Sequence, residues 1–473
     1  MKILFITPPM KMWLMFGDTI APYLGYAHMG AVLEQNGIDV EVLDCMAERL
    51  TWEEMEREVA VRKPDIVGIG SATAWANAAV EAFRRIKRVS PNVVTVAGGL
   101  HFSFLPDIYA KDPDIDFIVI GEGEYTLLEL VQELAKSVPK FEKVQGLAFQ
   151  KNGGFVQTPP RALIANLDDL PFPAYHLCKL EKNQWINETY KGYTRVVTSR
   201  GCKGRCHFCS QWKLYGGTYR TLSGKRIVDE LQRLYEDFQI DTIEFGDDSF
   251  NAERQKMEDF TRELLDRQLP IKWFMEARAD HILRDKDLLP LMVESGLVGV
   301  LIGVETYSDA ILKRERKGIS FEQMRQCFKL LKNYRVGTIA TYMIGWPEDT
   351  RESIKESARF LDELDPDVIS AHVLLPYPGS ELWDEARSKG VVEDFNFDHY
   401  NLTTPIMSTS SLKRQEISEL LNWLNMDFYS KQDRIMRNLY FRDRFWSTIF
   451  RHILSHADQL HSEVIEEEVV TTL

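Results

Sequence analysis

Short apolar runs alternate with amphipathic stretches along most of the chain. Lys2–Thr7 is an apolar run stopped by Pro8 and Pro9, and Gly25–Gln35 follows with helical spacing and ends before Gly37. Asp39–Asp44, Asp65–Gly70, Val93–Ala97 and Phe117–Ile120 read as further strands, with Trp52–Arg62, Ala76–Val89 and Glu124–Leu134 as helices between them. Strands separated by helices of about 10 to 15 residues predict a parallel sheet covered on both faces. We therefore expect a doubly wound α/β domain over residues 1–136. Ligands of such sheets sit beyond the carboxyl ends of the strands. The loops at that edge run from Pro9 to Gly25, Gly70 to Ala76, Gly98 to His101 and Gly121 to Gly123. None carries the GxGxxG fingerprint after the first strand, which argues against a dinucleotide. Each glycine taken singly is a close turn; together, four small-residue loops leave room for a large flat ligand.

Residues 137–190 change character. Val144–Gln150 and Phe155–Thr158 around Gly153 and Gly154 read as a β-hairpin, and Asn166–Tyr175 as a proline-punctuated connector, so this stretch is expected to be a linker. From Thr194 the alternation resumes. Strands are expected at Thr194–Ser199, Thr242–Phe245, Lys272–Ala277, Gly299–Gly303, Thr338–Ile344 and Val368–Leu374, with amphipathic helices between them. Six βα units over residues 191–410 predict a partial (β/α)6 barrel with its active site at the carboxyl ends of the strands. Residues 411–473 read as a C-terminal helical region. Within it, Lys431–Arg451 carries six basic residues against two acidic ones, interleaved with Tyr440, Phe441, Phe445, Trp446 and Phe450. Two arrangements fit that pattern. One is a helix pair packed on the barrel with Arg stems over apolar surface; the other is a lid or membrane-surface contact for a bulky, lipid-like or anionic substrate. The tail from Glu466 to Leu473 reads as disordered.

Composition narrows the function classes. Hydrophobic residues at 44% and charged residues at 27% are ordinary for a folded chain and exclude a disordered one. No run approaches the ~18 apolar residues of a membrane span. The N-terminus lacks the apolar segment and cleavage site of a signal peptide, so a cytoplasmic location is expected. Acidic residues outnumber basic ones, 71 to 57, for a formal charge of −14, which argues against a nucleic-acid partner. Six cysteines are too few for a disulfide scaffold, yet three of them fall between positions 202 and 209. In a cytosolic chain that crowding points to metal or redox chemistry. Cys45, Cys178 and Cys327 are scattered and read as buried small hydrophobes.

Cys202, Cys206 and Cys209 have the spacing C-x3-C-x2-C in the loop after the first barrel strand. Clustered thiols suit metal–thiolate bonding, and three of them leave one iron of a four-iron cluster open to another ligand. The competing reading is a zinc-stabilised binding protein without redox chemistry, for which the adjacent His207 is poorly spaced. The spacing, with the aromatic Phe208 before the last cysteine and a βα barrel following, resembles the signature of the radical S-adenosylmethionine (SAM) enzymes. The resemblance implies a [4Fe-4S] cluster on Cys202, Cys206 and Cys209, with the amino and carboxylate groups of SAM on the fourth iron. Reductive cleavage of SAM would then yield a 5′-deoxyadenosyl radical that takes a hydrogen atom from substrate. The later stations match in order. Gly246, Asp247 and Asp248 stand where the family places an acidic motif against the methionine ammonium, with the choice of aspartate open and a helix-capping pair as the alternative. Arg278 stands where an Arg commonly faces the SAM carboxylate; a surface ion pair is its alternative. Glu305 ends the run VGVLIGVE in a phrase resembling the ribose and amino-acid contact, and an unpaired Glu there would be costly to bury. Lys317 and Gly318 close that unit. Gly345 stands at the backbone station for adenine, and His372 to Gly379 form a further family phrase, with an interior histidine and a turn glycine as the bland alternatives.

The N-terminal half resembles the cobalamin-binding domain fused to one radical SAM subclass, which includes the anaerobic magnesium-protoporphyrin ester cyclase and many C-methyltransferases. Pro8-Pro9, Leu24-Gly25-Tyr26, Gly98-Gly99-Leu-His101 and Gly121-Glu122-Gly123-Glu124 carry the likeness. It implies Pro9, Gly70, Gly98, Gly99, His101, Gly121 and Glu122 around cobalamin. The Asp-x-His-x-x-Gly loop that gives cobalt a lower histidine in other B12 proteins is absent, as in many members of the subclass, and Trp75 is expected to crowd the third loop. The expected reaction is cobalamin-dependent C-methylation of an unactivated carbon, with substrate between the two domains and electrons from a flavodoxin- or ferredoxin-type protein. Radical cyclisation, dehydration or rearrangement is the rival outcome.

Overall fold

The computed structural model describes residues 1–10, 22–180, 192–440 and 443–451. The expectations placed on Phe441 and on the tail from Glu466 lie outside these residues.

Five parallel strands, β1 (Lys2–Thr7), β2 (Asp39–Asp44), β3 (Ile66–Gly70), β4 (Val94–Gly98) and β5 (Phe117–Val119), form the first sheet in the order β2-β1-β3-β4-β5. Both faces are covered, which is why β1 reads as an unbroken apolar run. Ile3 and Phe5 pack with the helices Leu24–Gln35 and Glu124–Leu134, and Leu4 and Ile6 with Trp52–Arg62 and Ala76–Val89. The hairpin expected inside a linker is instead the edge of this sheet. Its strands β6 (Leu147–Lys151) and β7 (Gly154–Gln157) continue the order, β6 pairing antiparallel with β5. Leu147, Ala148 and Phe149 are buried there, covering an edge that would otherwise stay open. The connector that follows is packed on the barrel: Phe172 lies between the guanidinium groups of Arg226 and Arg233, at 3.2 and 3.6 Å.

The second sheet has six parallel strands, β8 (Tyr193–Val196), β11 (Thr242–Phe245), β12 (Lys272–Ala277), β13 (Leu297–Glu305), β14 (Gly337–Ile344) and β15 (Val368–Val373), in the order β15-β14-β13-β12-β11-β8. Between β8 and β11 the short strands β9 (Ser199–Arg200) and β10 (Arg220–Thr221) pair antiparallel, so the chain leaves the barrel ladder earlier than its apolar run suggests. A register shift between Gly303 and Glu305 carries β13 further than expected.

After the helices Arg414–Tyr429 and Gln432–Leu439, the described aromatics from Phe445 on take the packed arrangement, while Tyr440 is exposed. Phe445, Trp446, Ile449 and Phe450 are buried. The Trp446 ring seats on Gly299 and Gly337, where a Cβ would come within 2.7 and 2.6 Å of it. Both glycines lie near the amino-terminal ends of their strands, so this segment plugs the bottom of the barrel, away from the catalytic mouth. Apolar surface at an open barrel end needs such a cover. Among the described residues no helix is long and apolar enough to cross a membrane.

The carboxyl edges of the two sheets meet. Gly379, beyond β15, seats the ring of Phe104, beyond β4, and Asn77 Nδ2 donates to Asn396 Oδ1 at 2.8 Å.

Candidate active site

The cysteine loop leaves β9 through Gly201 (φ +86), where a Cβ would collide with Thr218 O. Gly204 sits among the thiols: a Cβ there would lie 3.5 Å from Cys202 Sγ, 3.9 Å from Cys206 Sγ and 3.3 Å from Arg278 Nη1. Gly204 N donates to Cys202 Sγ at 3.4 Å, and none of the three cysteines is in a disulfide. Burial pushes all three thiols up, Cys209 to about 12, so their deprotonation has to come with the metal. His207 is spoken for: Glu315 holds its Nδ1 at 3.2 Å and Glu385 its Nε2 at 3.1 Å. Among the described residues no three donors are arranged to hold a single metal ion, so it is the spacing of the three thiols that suits a four-iron cluster with one open iron better than a closed tetrahedral zinc site.

Asp247 and Asp248 have separate surroundings. Asp247 is buried and accepts from Thr198 N at 3.2 Å, Thr198 Oγ1 at 3.0 Å and Ser199 Oγ, which ties it to the barrel. Asp248 opens into the mouth and makes no hydrogen bond with the described residues. Solvent reaches it although protein surrounds it on most sides, and burial with the Asp247 charge pushes its carboxyl up to about 6. Gly246 is where the Arg195 side chain lies flat, with Cδ 2.8 Å from a would-be Cβ, on its way to Glu244 Oε1 at 2.5 Å. Arg278 is 14% exposed rather than at the surface. Its Nε donates to Asp280 Oδ1 at 3.0 Å and its Nη2 to Lys317 O at 2.7 Å, leaving Nη1 toward the thiol loop.

Glu305 ends β13 with φ +67, a left-handed conformation that costs a non-glycine residue about 1 kcal/mol. It is held there by Lys317 Nζ, 2.5 Å from Oε1, and Thr341 Oγ1, 3.2 Å from Oε2. Burial opposes the Lys317 charge, but Glu305 and Cys206 outweigh it and hold the ammonium above its usual range. Sequence reasoning places Lys317 only as the close of this unit and gives Thr341 no part in the site; the available signal for the ion pair is a lysine following a strand-end glutamate within one βα unit. Gly345 (φ +85) turns the end of β14, its amide donating to Asp349 Oδ2 at 2.8 Å.

A cavity of about 260 Å³ lies between the two sheets. Gly70, Gly98, Gly99, Gly121 and Glu122 line it from the first domain, and Val197, Thr198, Ser199 and Arg200 from the barrel. Pro9, His101 and Trp75 do not line it. His101 is fully buried behind the edge, its Nε2 2.8 Å from the Tyr109 hydroxyl and its Nδ1 3.3 Å from Thr73 Oγ1, with the Phe397 ring at 4.6 Å. Burial pushes it down to about 4, so it is a neutral packing residue. Glu122 borders the cavity, but its carboxylate is committed to Arg200, Arg220 and Ile164 N. At Gly70 and Gly99 (φ +84) the sheet edge is backbone without Cβ, covered by the Tyr23 side chain. Arg226 also lines the cavity, with its Nη1 3.8 Å from Glu230 Oε2 and its guanidinium on the Phe172 ring. Backbone without Cβ along this edge fits the close approach of a flat corrinoid once the Tyr23 side chain moves off it.

Residues 196–361 match the model of the radical SAM superfamily, and residues 18–131 that of the B12 binding domain. An uncharacterised methyltransferase of Pyrococcus horikoshii is 31% identical over 446 residues, covering 93% of this chain and 95% of the relative. The anaerobic magnesium-protoporphyrin IX monomethyl ester cyclase of Rubrivivax gelatinosus is 32% identical over 425 residues, covering 88% of this chain and 75% of the relative. The chain belongs to the radical SAM enzymes that carry a B12 binding domain. Its fold is that of the radical SAM methyltransferase TsrM from Kitasatospora setae, with a TM-score of 0.73 at 18% identity over 97% of this chain and 99% of that one. The cofactors of this radical SAM enzyme are a [4Fe-4S] cluster, SAM and cobalamin, and the zinc-only alternative falls.

Proposed function

We propose that this enzyme methylates an unactivated carbon of a small-molecule substrate. One observation carries the reading: a single cavity is walled both by the glycine edge of the B12 domain and by Thr198–Arg200, the segment leading into Cys202. A corrinoid and SAM loaded on those two walls would address the same carbon. When bound, the cluster with SAM supplies a hydrogen-abstracting radical, and the corrinoid supplies the methyl group. The chain's own part is to bind and orient. Cys202, Cys206 and Cys209 hold the cluster. Asp248 receives the methionine ammonium, and Arg278 Nη1 the carboxylate. Glu305, fixed by Lys317 and Thr341, accepts from the ribose. Gly70, Gly98, Gly99 and Gly121 let the corrinoid lie against backbone. A flavodoxin- or ferredoxin-type protein in the cytoplasm supplies the electrons.

The test is anaerobic reconstitution with iron, sulfide and hydroxocobalamin, followed by reduction with SAM present. Methylation predicts about four irons per chain, a corrinoid absorption band, and S-adenosylhomocysteine formed in step with the corrinoid even before substrate is added. The likeness to the Rubrivivax gelatinosus cyclase favours a second reading, radical cyclisation. That reading predicts 5′-deoxyadenosine without S-adenosylhomocysteine, and this outcome would overturn methylation.

A further inference from the structure

The two glutamates of Gly121-Glu122-Gly123-Glu124 point at the neck of the cysteine loop. β9 and β10 set Arg200 opposite Arg220 and close residues 201–219, with all three cluster cysteines, into one loop. Two guanidinium groups directly across a ladder repel each other. Here the first domain supplies the counter-charges. Glu122 Oε1 accepts from Arg200 Nη1 at 2.9 Å and from Arg220 Nη1 at 2.8 Å, and Glu124 Oε1 accepts from Arg200 Nη2 at 2.5 Å. The side chains are buried, 12% exposed for both arginines and 5 and 6% for the glutamates. Glu122 Oε2 accepts from Ile164 N at 2.7 Å, which anchors that carboxylate in its own domain. Removing one partner would strand a buried charge, so the four groups hold or fail together.

We propose that Glu122 and Glu124 are positioning residues that clamp the neck of the cysteine loop to the glycine edge of the B12 domain, so that loading of one domain is felt at the other. The first half stands on the ion pairs; the second rests on the reading that the cavity takes a corrinoid. The test therefore has two arms, both on the full chain. In the cofactor-free protein, Glu124→Gln alters only the domain opposite the cysteines. Hydrogen exchange of peptides spanning residues 202–210 should then quicken about tenfold, the loss of a charge-assisted hydrogen bond, while the helix Phe321–Asn333 exchanges as in the wild type. Unchanged exchange in 202–210 would overturn the clamp. Should Glu124→Gln fail to fold, Glu122→Asp keeps the charge, shortens its reach and is read the same way.

The second arm measures SAM dissociation in the reconstituted chain with and without hydroxocobalamin. The wild type should show a corrinoid effect in the range of about 5- to 150-fold. In Glu124→Gln, compared with the wild type at matched iron and corrinoid loading, that factor should fall toward one, and the reversed pair Glu124→Arg with Arg200→Glu should recover part of it. A wild type that binds both without mutual effect, or a factor that survives Glu124→Gln, would overturn the coupling. A wild type that takes up no corrinoid refutes the reading of the cavity and overturns the coupling with it, while the exchange result still decides the clamp.

Discussion

Gly303→Ala places one methyl group against both ends of the Glu305–Lys317 ion pair. A Cβ at this position would collide with Glu305 Oε1 and lie 2.5 Å from Lys317 Nζ, both far inside van der Waals contact. Both atoms end flexible side chains, so the strand can stay folded while the pair opens. Lengthening the 2.5 Å pair to about 3.5 Å at an effective dielectric near 20 weakens its attraction by about 2 kcal/mol. Both side chains are nearly nine-tenths buried, so solvent screening takes little of that away. If the pair orients Glu305 toward the SAM ribose, SAM binding should weaken by roughly 30-fold. Calorimetric titration of SAM into the reconstituted enzyme measures it, with iron content as the control, since Gly303 is on β13 and not in the cysteine loop. Lys317→Met should weaken SAM comparably, and the double variant should cost little more, because the two changes remove one interaction. A SAM affinity within twofold of the wild type in Gly303→Ala, or additive losses in the double variant, would refute the reasoning.

Four further outcomes follow from the site. The Asp248 carboxyl, pushed up to about 6, is charged above that pH and neutral below it, so SAM affinity should be full near pH 8 and fall about tenfold per unit below pH 6. Asp248→Asn should bind weakly without that pH dependence and, since ionising Asp248 opposes folding, melt no lower than the wild type at pH 8. Asp247→Ala removes the acceptor of Thr198 and Ser199 and should cost about 3 kcal/mol, seen as a clearly lower melting temperature by scanning calorimetry. His101→Ala should melt lower by a similar loss of roughly 3 kcal/mol while taking up corrinoid in unchanged ratio, because the ring packs on Tyr109 and Phe397 and does not line the cavity. Cys206→Ala should lose cluster iron and 5′-deoxyadenosine formation yet keep the corrinoid band, since Cys206 is outside the cavity wall.

Where burial is decided within one element, the pattern was enough to read the fold. Ile3 to Ile6 are apolar because both faces of β1 are covered, and that needs no knowledge of which residues cover them. Membership of the radical SAM superfamily was legible for a similar reason, since the cysteine spacing is a local signature. What pattern does not carry is partner choice. Glu122 and His101 stand on small-residue loops at the ligand edge, where a cofactor contact and a tertiary contact look alike. The partners that decide Glu122 are 78 and 98 residues away, and those that decide His101 include Phe397 of the other domain. Trp446 is the same case: its interleaved aromatics look like a lid until Gly299 and Gly337 provide a seat. The Gly121–Glu124 loop shows how one motif divides between these roles. Backbone without Cβ can approach a flat ligand closely, and its glycines line the cavity. A carboxylate buried between domains needs a cation, so its glutamates face Arg200 and Arg220. The motif therefore joins the two domains beside the cavity that both of them line.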